Sequence, residues 1–81
     1  MNNHLDKQRD LCSIGSKVMW RGSWGEDLPT TAKVEYLILT DGYSKEGSEY
    51  NSLSWELFNE RKVIVGLTNG HWAYGYQISK L

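Results

Sequence analysis

The run Thr31-Ala32-Lys33-Val34-Glu35-Tyr36-Leu37-Ile38-Leu39-Thr40 alternates apolar and polar residues over most of its length. An alternation of period two puts successive side chains on opposite faces of an extended backbone and is incompatible with the 3.6-residue period of a helix. Ala32, Val34, Tyr36 and Ile38 share one face. Lys33 and Glu35 begin the other, which turns apolar at Leu37 and Leu39. A strand that is wet on one face at its start and dry on both at its end is expected to bend and enter the core.

The same pattern governs most of the chain after Ile14. Ile14–Trp20 reads as a first strand, with Val18 and Trp20 on one face. Arg21–Pro29, with two glycines, a proline and two acids, reads as a loop anchored at Trp24 and Leu28. Asp41–Glu49 is a polar loop opened by an Asp-Gly turn signal, and Leu53, Trp55 and Leu57 mark a third strand. Lys62–Thr68 forms a fourth strand and His71–Tyr76 a fifth. Asn69-Gly70 joins these two and suits a type I′ hairpin, because both residues tolerate positive φ. Gln77–Leu81 remains as a short tail.

An all-β protein is therefore expected: a small, partly open, SH3-like five-stranded barrel over residues 13–81. Residues 1–12 form a loose tail or short helix, since Leu5 and Leu11 make only an imperfect helical pattern. An OB-type barrel would normally need more residues and a helix between strands. At 81 residues, the chain has room for one domain with a small core. With Cys12 as its one cysteine, it has no intrachain disulfide to reinforce that core. Its N-terminal residues lack the apolar stretch of a signal peptide, and no apolar run approaches the ~20 residues that span a bilayer. A soluble, cytoplasmic protein without membrane attachment is the expectation.

The residues Gly22-Ser23-Trp24-Gly25, Pro29 and Ala32-Lys33-Val34, followed by Asn69-Gly70-His71-Trp72-Ala73-Tyr74-Gly75-Tyr76-Gln77-Ile78, carry a resemblance. The chain resembles small proteins encoded by bacteriophages and prophages, whose closing hairpin reads Asp-Asn-Gly-His-Trp-Ala-Tyr-Gly. Thr68 stands where that pattern has aspartate. The resemblance runs from about Trp20 to Ile78, and its His-Trp-Ala-Tyr-Gly run is more specific than its Trp-Gly loop. It implies a phage-type accessory protein built on a small β-barrel. It implies no catalytic residues.

Four Trp, five Tyr and one Phe make the chain rich in rings. Trp72, Tyr74 and Tyr76 project to one face at strand period, a row suited to stacking bases or gripping a proline-rich peptide. A barrel this small must also fill its interior, and that requirement favours Trp72 and Tyr74 as core. Tyr76, Trp24, Tyr43 and Tyr50 are then left for contact with a partner. In SH3-like barrels the loop after the first strand and the last hairpin flank one groove. Trp24, Glu26, Asp27, Trp72 and Tyr76 accordingly form the expected aromatic and acidic site, although a plug role for Trp24 fits the sequence equally well.

Charge sharpens the choice of partner. Residues 25–60 hold two bases and eight acids, whereas residues 61–81 hold three bases and no acid, within a net charge of −1. The acidic centre argues against a phosphate-tracking groove and is compatible with a basic protein surface. A non-enzymatic module binding a host or phage protein or peptide is the favoured reading. The alternatives are an oligomeric nucleotide-sequestering protein using Arg21, Arg61 or Lys62, a self-associating structural protein, and a nucleic-acid binder using Lys17, Arg21, Arg61 and Lys62. No cofactor is expected. Cys12 and His71 lack a third catalytic partner, and His4, Cys12 and His71 lack chelating spacing.

Overall fold

The computed structural model describes residues 10–41, 46–59 and 61–81. The chain is all-β. Its strands are β1 (Leu11–Ser13), β2 (Lys17–Trp20), β3 (Thr30–Thr40), β4 (Gly47–Tyr50), β5 (Ser52–Ser54), β6 (Val63–Leu67), β7 (Trp72–Tyr74) and β8 (Ile78–Lys80). Five short strands were expected; eight are present among the described residues. The larger sheet runs β7-β6-β3-β2-β8, with β4 paired to β3, and β1 pairs with β5 in a separate two-stranded ribbon. Every pairing is antiparallel. Among the described residues the sheet does not close on itself, since β7 and β8 end the path.

β3 organises the sheet because it is long enough to serve several partners. Its first residues pair with β2 (Trp20↔Thr30 to Lys17↔Lys33) and its last with β4 (Leu37↔Tyr50 to Thr40↔Gly47). Its other edge pairs with β6 from Val34 to Leu39. The register shifts between Val34 and Tyr36. This irregularity accounts for the change of face read in the sequence. Ala32 and Val34 point into the core before it and Leu37 after it, so a position is absorbed and the inward parity changes. Tyr36, directly opposite Gly66, lays its ring where a side chain at Gly66 would stand: a Cβ there would lie 2.0 Å from the ring. A glycine in the middle of a buried strand is thus explained by close approach.

Four expected elements change form. The tail through Cys12 does not hold to its end, since Leu11 and Cys12 belong to β1, where Cys12 pairs with Leu53; residues 1–9 lie outside the described ones. The third strand stops at Ser54, and Trp55–Asn59 coil into a 3₁₀ turn that drops Phe58 into the core, 4.6 Å ring to ring from Trp55. The polar loop after Asp41 is shorter than expected, because Gly47–Tyr50 pair as β4. The fifth strand ends at Tyr74, followed by a 3₁₀ turn over Gly75–Gln77 and then β8, drawn from what reads as a tail. Gly75 turns there against Phe58, whose Cα lies 2.8 Å from the position of a Cβ at residue 75.

The core is aliphatic. Cys12, Val18, Val34, Leu37, Val63, Val65 and Leu67 are its most buried larger side chains, joined by Ala73, Ile78, Leu53 and Phe58. Phe58 is the one buried aromatic ring among the described residues. On β7, Ala73 faces inward, whereas Trp72 is exposed and Tyr74 half-buried. The expectation that Trp72 and Tyr74 fill the barrel is therefore reversed. A thin sheet whose inner layer is already filled by β6, buried at all five positions, has room on β7 for alanine and not for indole.

Candidate binding groove

The loop between β2 and β3 closes on itself through three short contacts. The Asp27 amide donates to the Gly22 carbonyl (3.1 Å), the Glu26 amide to the Ser23 carbonyl (3.1 Å), and the Ser23 hydroxyl to Asp27 Oδ2 (3.1 Å). This winding drives Ser23 (φ 49°) and Trp24 (φ 59°) into the left-handed region, followed by Gly25 (φ 97°). Glycine adopts that conformation freely. A bulky tryptophan does so at a cost of about 1–3 kcal/mol and persists only where the surroundings hold it. The result is an indole standing out from the sheet, 65% exposed.

Gln77 fastens this loop to the end of the chain. Its side-chain amide donates to the Arg21 carbonyl (2.9 Å), while its Oε1 accepts from the Tyr74 amide (3.0 Å). The Arg21 amide in turn donates to the Gln77 carbonyl (3.0 Å). Gln77 is buried and both ends of its amide are used, so it is a bracket between two segments 56 residues apart in sequence.

On the facing side, the β6–β7 hairpin turns at Thr68–Gly70. The His71 amide donates to Asn69 Oδ1 (2.9 Å). The turn is not the expected type I′, because Gly70 alone takes positive φ (89°) and Asn69 does not; the Gly70 amide donates to the Leu67 carbonyl (3.1 Å) across Thr68 and Asn69, which makes a three-residue loop with glycine at its left-handed last position. His71 lies stacked on Trp20, 4.9 Å between ring centroids.

Together the loop and hairpin enclose an open groove of about 260 Å³ lined by Trp20, Gly22, Ser23, Trp24, His71, Trp72 and Gln77. Three of the four tryptophans meet in it. Tyr74 lies at the centre of the adjoining ring cluster: Trp24 stacks on it at 6.1 Å, Trp72 meets it edge-on at 5.3 Å, and Tyr76 stacks on it at 5.9 Å with planes 11° apart. Arg61 sits over the same ring at 5.6 Å. Trp20 Nε1 is buried and has no hydrogen-bond partner. An indole N–H can only donate, and a buried one without an acceptor is expensive to maintain.

The expected site residues distribute unevenly over this geometry. Trp24 and Trp72 are both at the surface and both line the groove, so Trp24 is not a plug. Tyr76, 39% exposed, joins through its stack on Tyr74 and does not line the groove. Asp27 is spent on bracing the loop, and Glu26 is exposed beside it without lining the groove. Trp20, His71 and Gln77 line the groove but were absent from the expected set. The Asn-Gly turn that precedes His71 carries the signal for that residue; the roles of Trp20 and Gln77 depend on pairings across the whole chain, which no local pattern encodes.

Of the cations considered for phosphate contact, Arg61 is over Tyr74, and an Arg21 guanidinium nitrogen donates to the Asp27 carbonyl (3.4 Å). None of the seven lining residues is Lys or Arg. Cys12 and His71 are separated by burial: Cys12 is fully enclosed, its thiol pushed up to about 11 by desolvation, while His71 is exposed. His4 lies outside the described residues. No helix among the described residues is long and apolar enough to cross a membrane. No protein-family model, curated protein or solved structure matches this chain.

Proposed function

We propose that this chain is a non-enzymatic binding module of phage type, which engages a protein partner through the groove between the β2–β3 loop and the β6–β7 hairpin. One observation carries the reading: Trp24 is held at φ 59° and is 65% exposed on the groove wall. Folding alone favours neither property. Strained backbone and an exposed indole are each unfavourable in an isolated domain, and their coincidence at a concave, ring-lined surface is characteristic of recognition. Trp24 and Trp72 serve as apolar anchors, Tyr74 and Tyr76 as a rigid backing, and Glu26 as part of the polar rim.

An SH3-like plan belongs to this proposal. The sheet path β7-β6-β3-β2-β8 supplies five strands, a 3₁₀ turn precedes the last of them, and the last strand pairs with β2. These features support the reading, with β1, β4 and β5 as additions to it.

Trp24→Ala tests the function. The exposed ring is expected to leave the urea unfolding free energy within about 1 kcal/mol of the unmodified chain. Capture of a partner on the immobilised protein is expected to be lost. Unfolding of the variant, or unchanged capture, overturns the assignment of Trp24 as an anchor.

A further inference from the structure

The groove has ring faces and no lysine or arginine in its lining. Each of these properties restricts what can occupy it, and together they select a chemistry more narrowly than the presence of tryptophan does. The inference rests on the reading of the groove as a protein-binding site.

We propose that the occupant is an extended segment of a partner protein that carries an arginine or lysine, whose cation lies on the indole faces of the groove beside the carboxylates of the β2–β3 loop. Indole faces attract cations through the ring quadrupole, most strongly when the contact is desolvated. This surface already shows the affinity in its own chain, with Arg61 over Tyr74 at 5.6 Å. A carboxylate stands at the groove's edge: Asp27 Oδ2 lies 2.9 Å from where a Cβ at the groove-lining Gly22 would stand. Glu26 is exposed next to it. The loop Arg21–Pro29 carries one base and two acids, and the Arg21 guanidinium is turned to the Asp27 carbonyl, outside the lining. Complementarity at this rim therefore calls for a positive ligand.

The same inventory disfavours a nucleotide or single strand, which also stack on aromatic rings but need clustered cations for phosphate.

A random peptide display library panned on the immobilised chain, with Trp24→Ala as counter-selection, reads the outcome. Enriched peptides are expected to contain Arg or Lys. A synthetic copy with citrulline in place of the arginine is expected to bind at least about tenfold more weakly, as befits loss of a partly desolvated charge contact. Glu26→Gln is expected to weaken the arginine peptide about threefold, with unfolding unchanged, because its carboxylate is exposed at the rim. Enrichment of peptides without Arg or Lys, or equal binding of the citrulline copy, overturns the choice of a basic occupant and leaves the peptide-binding reading standing. Tighter quenching of tryptophan fluorescence by an oligothymidylate than by any enriched peptide overturns both. Failure to enrich any peptide over the Trp24→Ala control also overturns both, since no peptide site then exists.

Discussion

Cys12 shows how a single side chain can report on the core without taking part in chemistry. It is fully enclosed, opposite Leu53, and burial pushes its thiol up to about 11. Such a group ionises in the unfolded chain near its ordinary value of 9.0 while the folded thiol stays neutral. Its contribution is complete below pH 9 and is lost as pH rises through 11. A displacement of this size is worth about 2–3 kcal/mol. Urea unfolding at pH 8 and pH 10.5 is therefore expected to show a steeper loss of stability in the unmodified chain than in Cys12→Ala. Equal losses would contradict the assignment. The burial of Cys12 was not legible in the sequence, where it stands at the edge of a polar segment and acquires a neighbour only through β5. Aromatic residues posed the opposite difficulty. Their alternation on β7 was readable, but alternation fixes which residues share a face and not which face is inside. The small side chains of Ala73 and Gly75 decided it, because the layer beneath was already filled by β6 and Phe58.

At the level of elements, the β2–β3 loop and the closing 3₁₀ turn act as one unit joined by Gln77. Gln77→Ala leaves the Tyr74 amide and the Arg21 carbonyl without their partner, at a cost of about 2–3 kcal/mol for two partly buried groups. That loss is expected in the urea unfolding free energy. Gln77→Met, which keeps the volume but restores neither bond, is expected to be nearly as destabilised. A Gln77→Met variant of full stability would show that the bracket is dispensable. Elements whose boundaries are set locally were read well from the sequence: β3, the Asn-Gly hairpin and the loop opened by Gly22 all lie where their patterns put them. Elements set by distant packing were not. Leu53–Leu57 alternates like a strand, yet Phe58 is drawn under Gly75 and the segment coils after Ser54. That β3 changes its inward face was readable from the sequence, whereas the place of the register shift, at Glu35, depends on where β6 takes up the pairing.

For the molecule as a whole, the last strand has an importance disproportionate to its length. Ile78–Lys80 pair with Val18, Met19 and Trp20, so β8 covers the edge of β2 and supports the strand that carries Trp20 into the groove. Asp10 reinforces the same region, since its carboxylate pairs with Lys80 and its carbonyl accepts from the Trp55 amide (3.2 Å). A chain ending after Gln77 loses the buried Ile78 and leaves a sheet edge open. Loss of one buried isoleucine alone costs about 2–5 kcal/mol, a large share of what a domain of this size possesses. The truncated protein is expected to lose its cooperative thermal transition and to elute as aggregate in size-exclusion chromatography. A monomeric, cooperative product would show that the remaining strands suffice.

The β2–β3 loop begins and ends at paired positions, because Trp20 and Thr30 are in register immediately on either side of it. Its ends are therefore fixed by the sheet, whatever lies between them. Closing a flexible loop of twice the length adds only about 0.6 kcal/mol in chain entropy. If the loop serves the proposed recognition, residues 22–28 form a cassette whose ends are held from outside it, by Gln77 at Arg21 and by the Trp20–Thr30 pair, and exchanging them for other sequences is expected to redirect binding while β2, β3 and β8 stay as they are.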